Sequence, residues 1–159
     1  MSLLIAFSTS LMFFGYFMVS YIDIKTKRIP NSYLILISFV TFLEILFRSL
    51  KYESSTPLLR GLVACFLTFA ALLVLNLIKG ANFGMGDVKF GAVLALGIGQ
   101  WGISAAFAAI AIAFLLGGFF SLVWILIGKG RKSEIPFGPF LVAGILIMYF
   151  LIIRSDQFF

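Results

Sequence analysis

A chain of 159 residues that is 62% hydrophobic and 11% charged cannot be an ordinary soluble domain, because such domains carry about a quarter charged residues. With no histidine and one cysteine, Cys65, it can build no Ser-His-Asp or Cys-His site, no histidine metal centre, no internal disulfide and no CxxC zinc site. Its net charge of +6 is assigned to loops that hold the chain's topology in a membrane rather than to nucleic acid.

The mean hydropathy of +1.16 and the lack of a long polar linker describe one integral membrane domain over residues 1–159. A bilayer core takes about 20 apolar residues per helix, and the first such run is 3–22. The residues before it are uncharged, and the first basic ones, Lys25, Lys27 and Arg28, follow it. That polarity predicts a first helix inserted with its N-terminus outside and no removable signal peptide of the usual form. A polar connector begins at Asp23. Pro30 disfavours helix at Ile29, and Asn31 and Ser32 supply capping chemistry for the next helix.

The second run is 33–47. Glu44 lies four residues before Arg48 and is explained by that local pair near the helix end. The third run begins at 58 or 61 and ends at 78, with Cys65 inside it, expected to be a small buried residue. A glycine-rich break over 79–90 then ends on Asp87 and Lys89. The fourth run, 88–101, covers roughly 20 Å and is too short for the hydrocarbon core. The fifth run is 103–127, a basic connector follows, and the sixth is 137–153. The expectation is an all-α, polytopic protein of about six transmembrane helices.

In that layout the connectors on one side carry Lys25, Lys27, Arg28, Lys79, Lys89, Lys129, Arg131 and Lys132, and the other side carries Arg48, Lys51, Arg60 and Arg154. The bias places the first side in the cytoplasm. It also sets Asp23 and Asp87, 64 residues apart in sequence, at the same membrane face.

An intramembrane carboxylate is expensive and marks function by default. Two brought together do not both ionise easily and titrate as a unit. One then serves as general base toward a water, and its protonated partner polarises a peptide carbonyl and helps the amine leave. The other four acidic residues are poor substitutes. Glu53 and Asp156 fall on the opposite face, Glu44 has Arg48, and Glu134 sits in a basic loop. Gly84 and Gly86 free the backbone around Asp87. A helix starting near Asp87 would turn its unpaired N–H groups toward the site, available to Asp87 or to a substrate carbonyl. The short fourth run suggests a site below the headgroups in a protein-lined cavity. Lys89 is read as a snorkelling side chain beside the site rather than a catalytic group. By these residues alone, a non-catalytic membrane assembly protein, a transporter or an ion pathway using the aspartates for protons remains an alternative.

Three segments resemble the type IV prepilin peptidase family of membrane aspartic proteases. Asp23 to Asn31 (Asp-Ile-Lys-Thr-Lys-Arg-Ile-Pro-Asn) resembles the family's first aspartate and its Ile-Pro-Asn element. Gly84-Met-Gly-Asp-Val-Lys-Phe resembles the Gly-x-Gly-Asp-x-Lys motif, and Ile135-Pro-Phe-Gly-Pro-Phe-Leu the segment opening the last helix. The resemblance implies that Asp23 and Asp87 are the catalytic pair. It implies a scaffold of Gly84, Gly86, Lys89, Pro30, Asn31, Pro136, Gly138 and Pro139 around them, although Pro136 and Pro139 also serve as helix-start signals. It further implies removal of a short basic leader from prepilins or pseudopilins at the cytoplasmic face of the inner membrane, after a glycine. The partners are then the prepilin-like substrate and the lipid bilayer, not nucleic acid, and no cofactor is called for. Larger members begin with a cysteine-rich zinc region linked to N-methylation. This chain starts at the first helix, so it resembles the short form, with neither methyltransferase activity nor zinc expected. The basic loops match poorly with a basic leader, so recognition is expected to rest on packing of the substrate's apolar helix. Another Gly-x-Gly-Asp protease acting on signal-peptide remnants is the runner-up. The family leaves the particular pilin substrate and the oligomeric state open.

Overall fold

The computed structural model describes residues 3–78, 84–127 and 135–155. Among them the chain forms six helices and no strand: α1 (Leu3–Thr26), α2 (Asn31–Lys51), α3 (Thr56–Leu77), α4 (Met85–Gly99), α5 (Ile103–Leu126) and α6 (Gly138–Arg154). The expected all-α fold and its six elements are present. Helices α1, α2, α3 and α5 are long and apolar enough to cross a membrane. At 15 residues α4 is the shortest, and α6 has 17. Lys79, Lys129, Arg131, Lys132, Glu134 and Asp156 lie outside the described residues, as does the start of the glycine-rich break.

The helix ends differ from the apolar runs for local reasons. Helix α1 passes beyond Ile22 and takes in Asp23 and Lys25. It closes where Lys27 adopts a left-handed φ of 50°, with its N–H donating to the Asp23 carbonyl at 2.8 Å. An αL residue just past the last turn satisfies a carbonyl that the helix leaves unpaired. The Thr26 hydroxyl lies 2.9 and 2.7 Å from the Ile22 and Arg28 carbonyls and holds the reversal. Helix α2 likewise runs past Phe47 to Lys51. Its N-cap is Pro30, in an extended conformation and without a side-chain cap bond. Asn31 is therefore already inside the first turn, and the capping role expected of it is not used. Proline opens α3 and α6 within their first two positions, where its missing N–H is no loss.

Helix α4 is the hub. From Phe90 to Gly99 every residue is buried, walled by α2, α3, α5 and α6, with α3 its closest neighbour. The outer helices show lipid a broad apolar surface, for example Phe7, Phe14, Phe39, Phe66, Leu115, Phe119 and Phe150. This inversion of the soluble pattern is what a hydrocarbon solvent permits. Small residues let backbones approach. At Gly144 of α6 an added Cβ would collide with the Ala109 carbonyl of α5. Cys65, expected to be buried, is only partly so, because it turns off the face on which Ala64 and Thr68 meet the core.

At the end of the bundle where α2 and α4 finish, Glu44 is buried, at 3% exposure. Its expected pairing with Arg48 is present, at 2.9 Å from Oε1. The local pair is not its whole environment. Thr9 of α1 donates to the same oxygen at 3.1 Å, and Gln100, just past α4, donates to Oε2 at 2.9 Å. The Arg48 guanidinium also bonds the Thr9 hydroxyl at 3.2 Å and lies 5.0 Å from the Trp101 ring centre. Glu44 thus joins three helices, where a pair on one helix was expected.

Candidate active site

At the other end, the close of α1 meets the beginnings of α2, α4 and α6. Asp23 lies one turn before the left-handed reversal, on the face that carries Tyr16 and Val19 into the core, and it is only 4% exposed. Its Oδ2 accepts the Gly138 N–H at 2.9 Å. Gly138 is the first residue of α6, so the carboxylate sits on the positive end of that helix and takes one of its unpaired donors. The fit leaves no space for a side chain. A Cβ on Gly138 would lie 2.8 Å from Asp23 Oδ2 and 3.2 Å from its Cβ.

Asp87 is placed in the first turn of α4 and is half-buried. Its carboxylate takes a backbone hydrogen bond from Gly84 and feels the charge of Asp23. Gly84 is the N-cap, extended at φ −72°, ψ 142°, and its carbonyl accepts the Asp87 N–H at 3.0 Å. Each aspartate therefore faces a glycine N–H at a helix start, Asp23 that of α6 and Asp87 that of α4. Gly86 performs a different task. A Cβ there would stand 3.3 Å from that of Ile29, so its absence lets the α1–α2 connector close onto α4.

The remaining scaffold residues separate into two groups. Asn31 and Lys89 are joined: Lys89 Nζ donates to Asn31 Oδ1 at 2.9 Å, which ties the first turn of α4 to that of α2. The expected snorkelling lysine is instead a cross-link, and the amide expected to cap α2 is its acceptor. Pro30 fixes the extended entry to α2. Pro139 occupies the first turn of α6, and Pro136 precedes it, partly buried. These prolines shape the chain ends and offer the aspartates no donor, since proline has no backbone N–H.

Sequence reading missed the Asp23–Gly138 bond. The Gly-Pro pair at a helix start was its one signal, since glycine there leaves room for an approaching carboxylate. The arrangement offers two carboxylates at one end of the bundle, each oriented by the backbone. Among the described residues the only salt bridge is that of Glu44 with Arg48, and no group of three His, Cys, Asp or Glu side chains is placed to hold a metal ion.

Compared with known families, residues 10–126 match the model of the type IV leader peptidase family. The matched stretch contains Asp23 and Asp87 and stops short of the Pro-Phe-Gly-Pro segment. No curated protein and no solved structure matches the chain.

Proposed function

The chain belongs to the type IV leader peptidase family, and from that premise we propose that it is an aspartic endopeptidase whose acid–base pair is Asp23 and Asp87. One observation carries the reading: both carboxylates lie at one end of the bundle, where the close of α1 and the connector after it pack onto the first turn of α4. Each carboxylate also holds a glycine N–H at a helix start. In the reaction one carboxylate takes a proton from water as that water attacks the scissile carbonyl. The other donates its proton to the carbonyl oxygen. Collapse of the tetrahedral intermediate returns a proton to the departing amine. Backbone bonds suit this chemistry because they orient a carboxylate without neutralising it, as a lysine or arginine would.

The substrate is a prepilin-like membrane protein with a short basic leader, cut after a glycine immediately before its apolar helix. The pair faces the cytoplasm, in an inner-membrane protein whose N-terminus is outside. The basic residues Lys25, Lys27, Arg28 and Lys89 near the aspartates support that orientation. The substrate helix is selected by apolar packing, since a basic leader gains nothing from basic loops.

The test is leader removal by the purified protein in detergent, with the new C-terminus read by mass spectrometry. The wild type is expected to release a leader ending in glycine. Asp23→Asn and Asp87→Asn should each lower the rate by about 10²- to 10⁴-fold, the usual worth of a positioned acid or base. Near-normal cleavage by either variant sinks the role of that residue, and ion flux without cleavage by the wild type sinks the peptidase reading.

A further inference from the structure

The buried cluster around Glu44 is larger than charge neutralisation demands. Arg48, four residues away on the same helix, already meets Glu44 Oε1 at 2.9 Å. Yet Thr9 adds a second donor from α1, and Gln100 covers Oε2 from the end of α4. Gln100 also donates to the Gly97 carbonyl at 2.9 Å. These added bonds reach the two helices that carry the aspartates. Thr9 stands about four turns, or roughly 21 Å, from Asp23 along α1, and Gln100 a similar length from Asp87 along α4.

Between the two ends, α1 meets α4 at Gly97 through Tyr16 and Met12. Tyr16 is fully buried. Its hydroxyl lies 3.0 Å from Thr41 Oγ1 of α2, and its ring is edge-on to Phe90 of α4, with centroids 6.4 Å apart. It rests on Gly97, where a Cβ would collide with the hydroxyl. In lipid, apolar side chains gain little by choosing one neighbour over another. The Tyr16 hydroxyl bond goes to α2, so its contact with α4 includes no hydrogen bond. A hydrogen-bonded charged cluster resists sliding, because a slip would leave the buried Glu44 without its Thr9 and Gln100 donors and the Gln100 amide nitrogen without its Glu44 acceptor.

We infer that Thr9, Glu44, Arg48 and Gln100 form a clasp that fixes α1 lengthwise against α4, and so sets the separation of Asp23 and Asp87 at the far end. All four are positioning residues. The link to catalysis rests on the acid–base reading above, whereas the geometric claim stands apart from it.

The two are tested separately on the full chain in lipid nanodiscs. Spin labels go on cysteines placed at the exposed positions Ile24 and Met85, beside the two aspartates, in a Cys65→Ser background. Thr9→Val removes the hydroxyl at nearly constant shape, Gln100→Leu removes the amide, and Thr9→Ser keeps the donor. The valine and leucine variants are expected to shift or broaden the label distance by about 1–2 Å, the scale of a helix slip. Without labels, they should lower kcat for leader removal by about tenfold or more with KM little changed, because small misplacements of catalytic groups are costly. The serine variant should match wild type in both. A role limited to stability would lower the melting temperature and move neither the distance nor the split between kcat and KM. Unchanged distances in both Thr9→Val and Gln100→Leu overturn the clasp. Shifted distances with unchanged kcat overturn its link to chemistry. If the wild type removes no leader, the peptidase reading fails and the distances still decide the clasp.

Discussion

The two ends of the bundle both bury acidic side chains and treat them in opposite ways. Glu44 is saturated: Arg48 and Thr9 on one oxygen, Gln100 on the other. Asp23 and Asp87 receive backbone N–H groups, and among the described residues neither forms a salt bridge. A carboxylate held by side-chain donors on both oxygens, with a guanidinium beside it, has little capacity left for a water or a substrate. One oriented through the backbone alone keeps that capacity. Burial alone therefore does not mark a catalytic acid in a membrane; its unspent hydrogen-bonding capacity does.

Substitutions can break this contrast, beginning with the largest effect. Asp23→Asn and Asp87→Asn should lower cleavage by about 10²- to 10⁴-fold while the melting temperature in detergent stays near wild type or rises, because removing one of two neighbouring carboxylates relieves repulsion. A collapse of folding in either variant would make these residues resemble Glu44 and erase the distinction. Gly138→Ala should come next. The new methyl group meets Asp23 Oδ2 and also its Cβ, so turning the carboxylate aside relieves only part of the clash. Stability should fall by about 1–3 kcal/mol, the usual range for overpacking, while kcat should fall about 10- to 100-fold from misplacement. Activity and thermal unfolding measured on one preparation would show whether the two readouts separate.

Glu44→Gln should reverse that order. Arg48 loses its counter-charge but can reach toward the interface along its stem. Unfolding should be easier by about 2 kcal/mol, less than the 3–5 of a fully enclosed broken pair. The activity loss should follow only from the slackened clasp and stay below that of Gly138→Ala; an Asp-like loss of cleavage would bring Glu44 into the chemistry. Lys89→Met is the mildest. It removes one partly exposed hydrogen bond, worth about 0.5–1.5 kcal/mol, and should slow cleavage only a few-fold. A loss as large as that of Asp87→Asn would move Lys89 from cross-link to catalytic group.

Much of this was legible in the residues, and what escaped shares a cause. The six apolar runs, the early Asp23 and the Gly-x-Gly-Asp segment are local signals of composition and spacing, and the helices follow them. Asn31 beside Pro30 looked like a cap because capping is a local rule. Its real partner, Lys89, is 58 residues away. Glu44 looked settled because Arg48 at i+4 explained it. Thr9 and Gln100, 35 and 56 residues distant, leave no trace in a period or a motif. The contact of Gly138 with Asp23 spans 115 residues. Helix ends slipped by a few residues where polar side chains such as Lys25 and Arg48 continue a helix that hydropathy alone would stop.

A last consequence concerns the shortness of α4. Fifteen residues span about 22 Å, well under the hydrocarbon thickness of about 30 Å. A lipid-facing helix of that length would thin the bilayer around it or tilt its neighbours. Helix α4 is spared that hydrophobic mismatch because other helices, not acyl chains, surround it. Helices α2, α3 and α5 around it are long enough to match the bilayer thickness. The burial that makes α4 the hub thus lets a helix this short sit among longer ones without deforming the lipid.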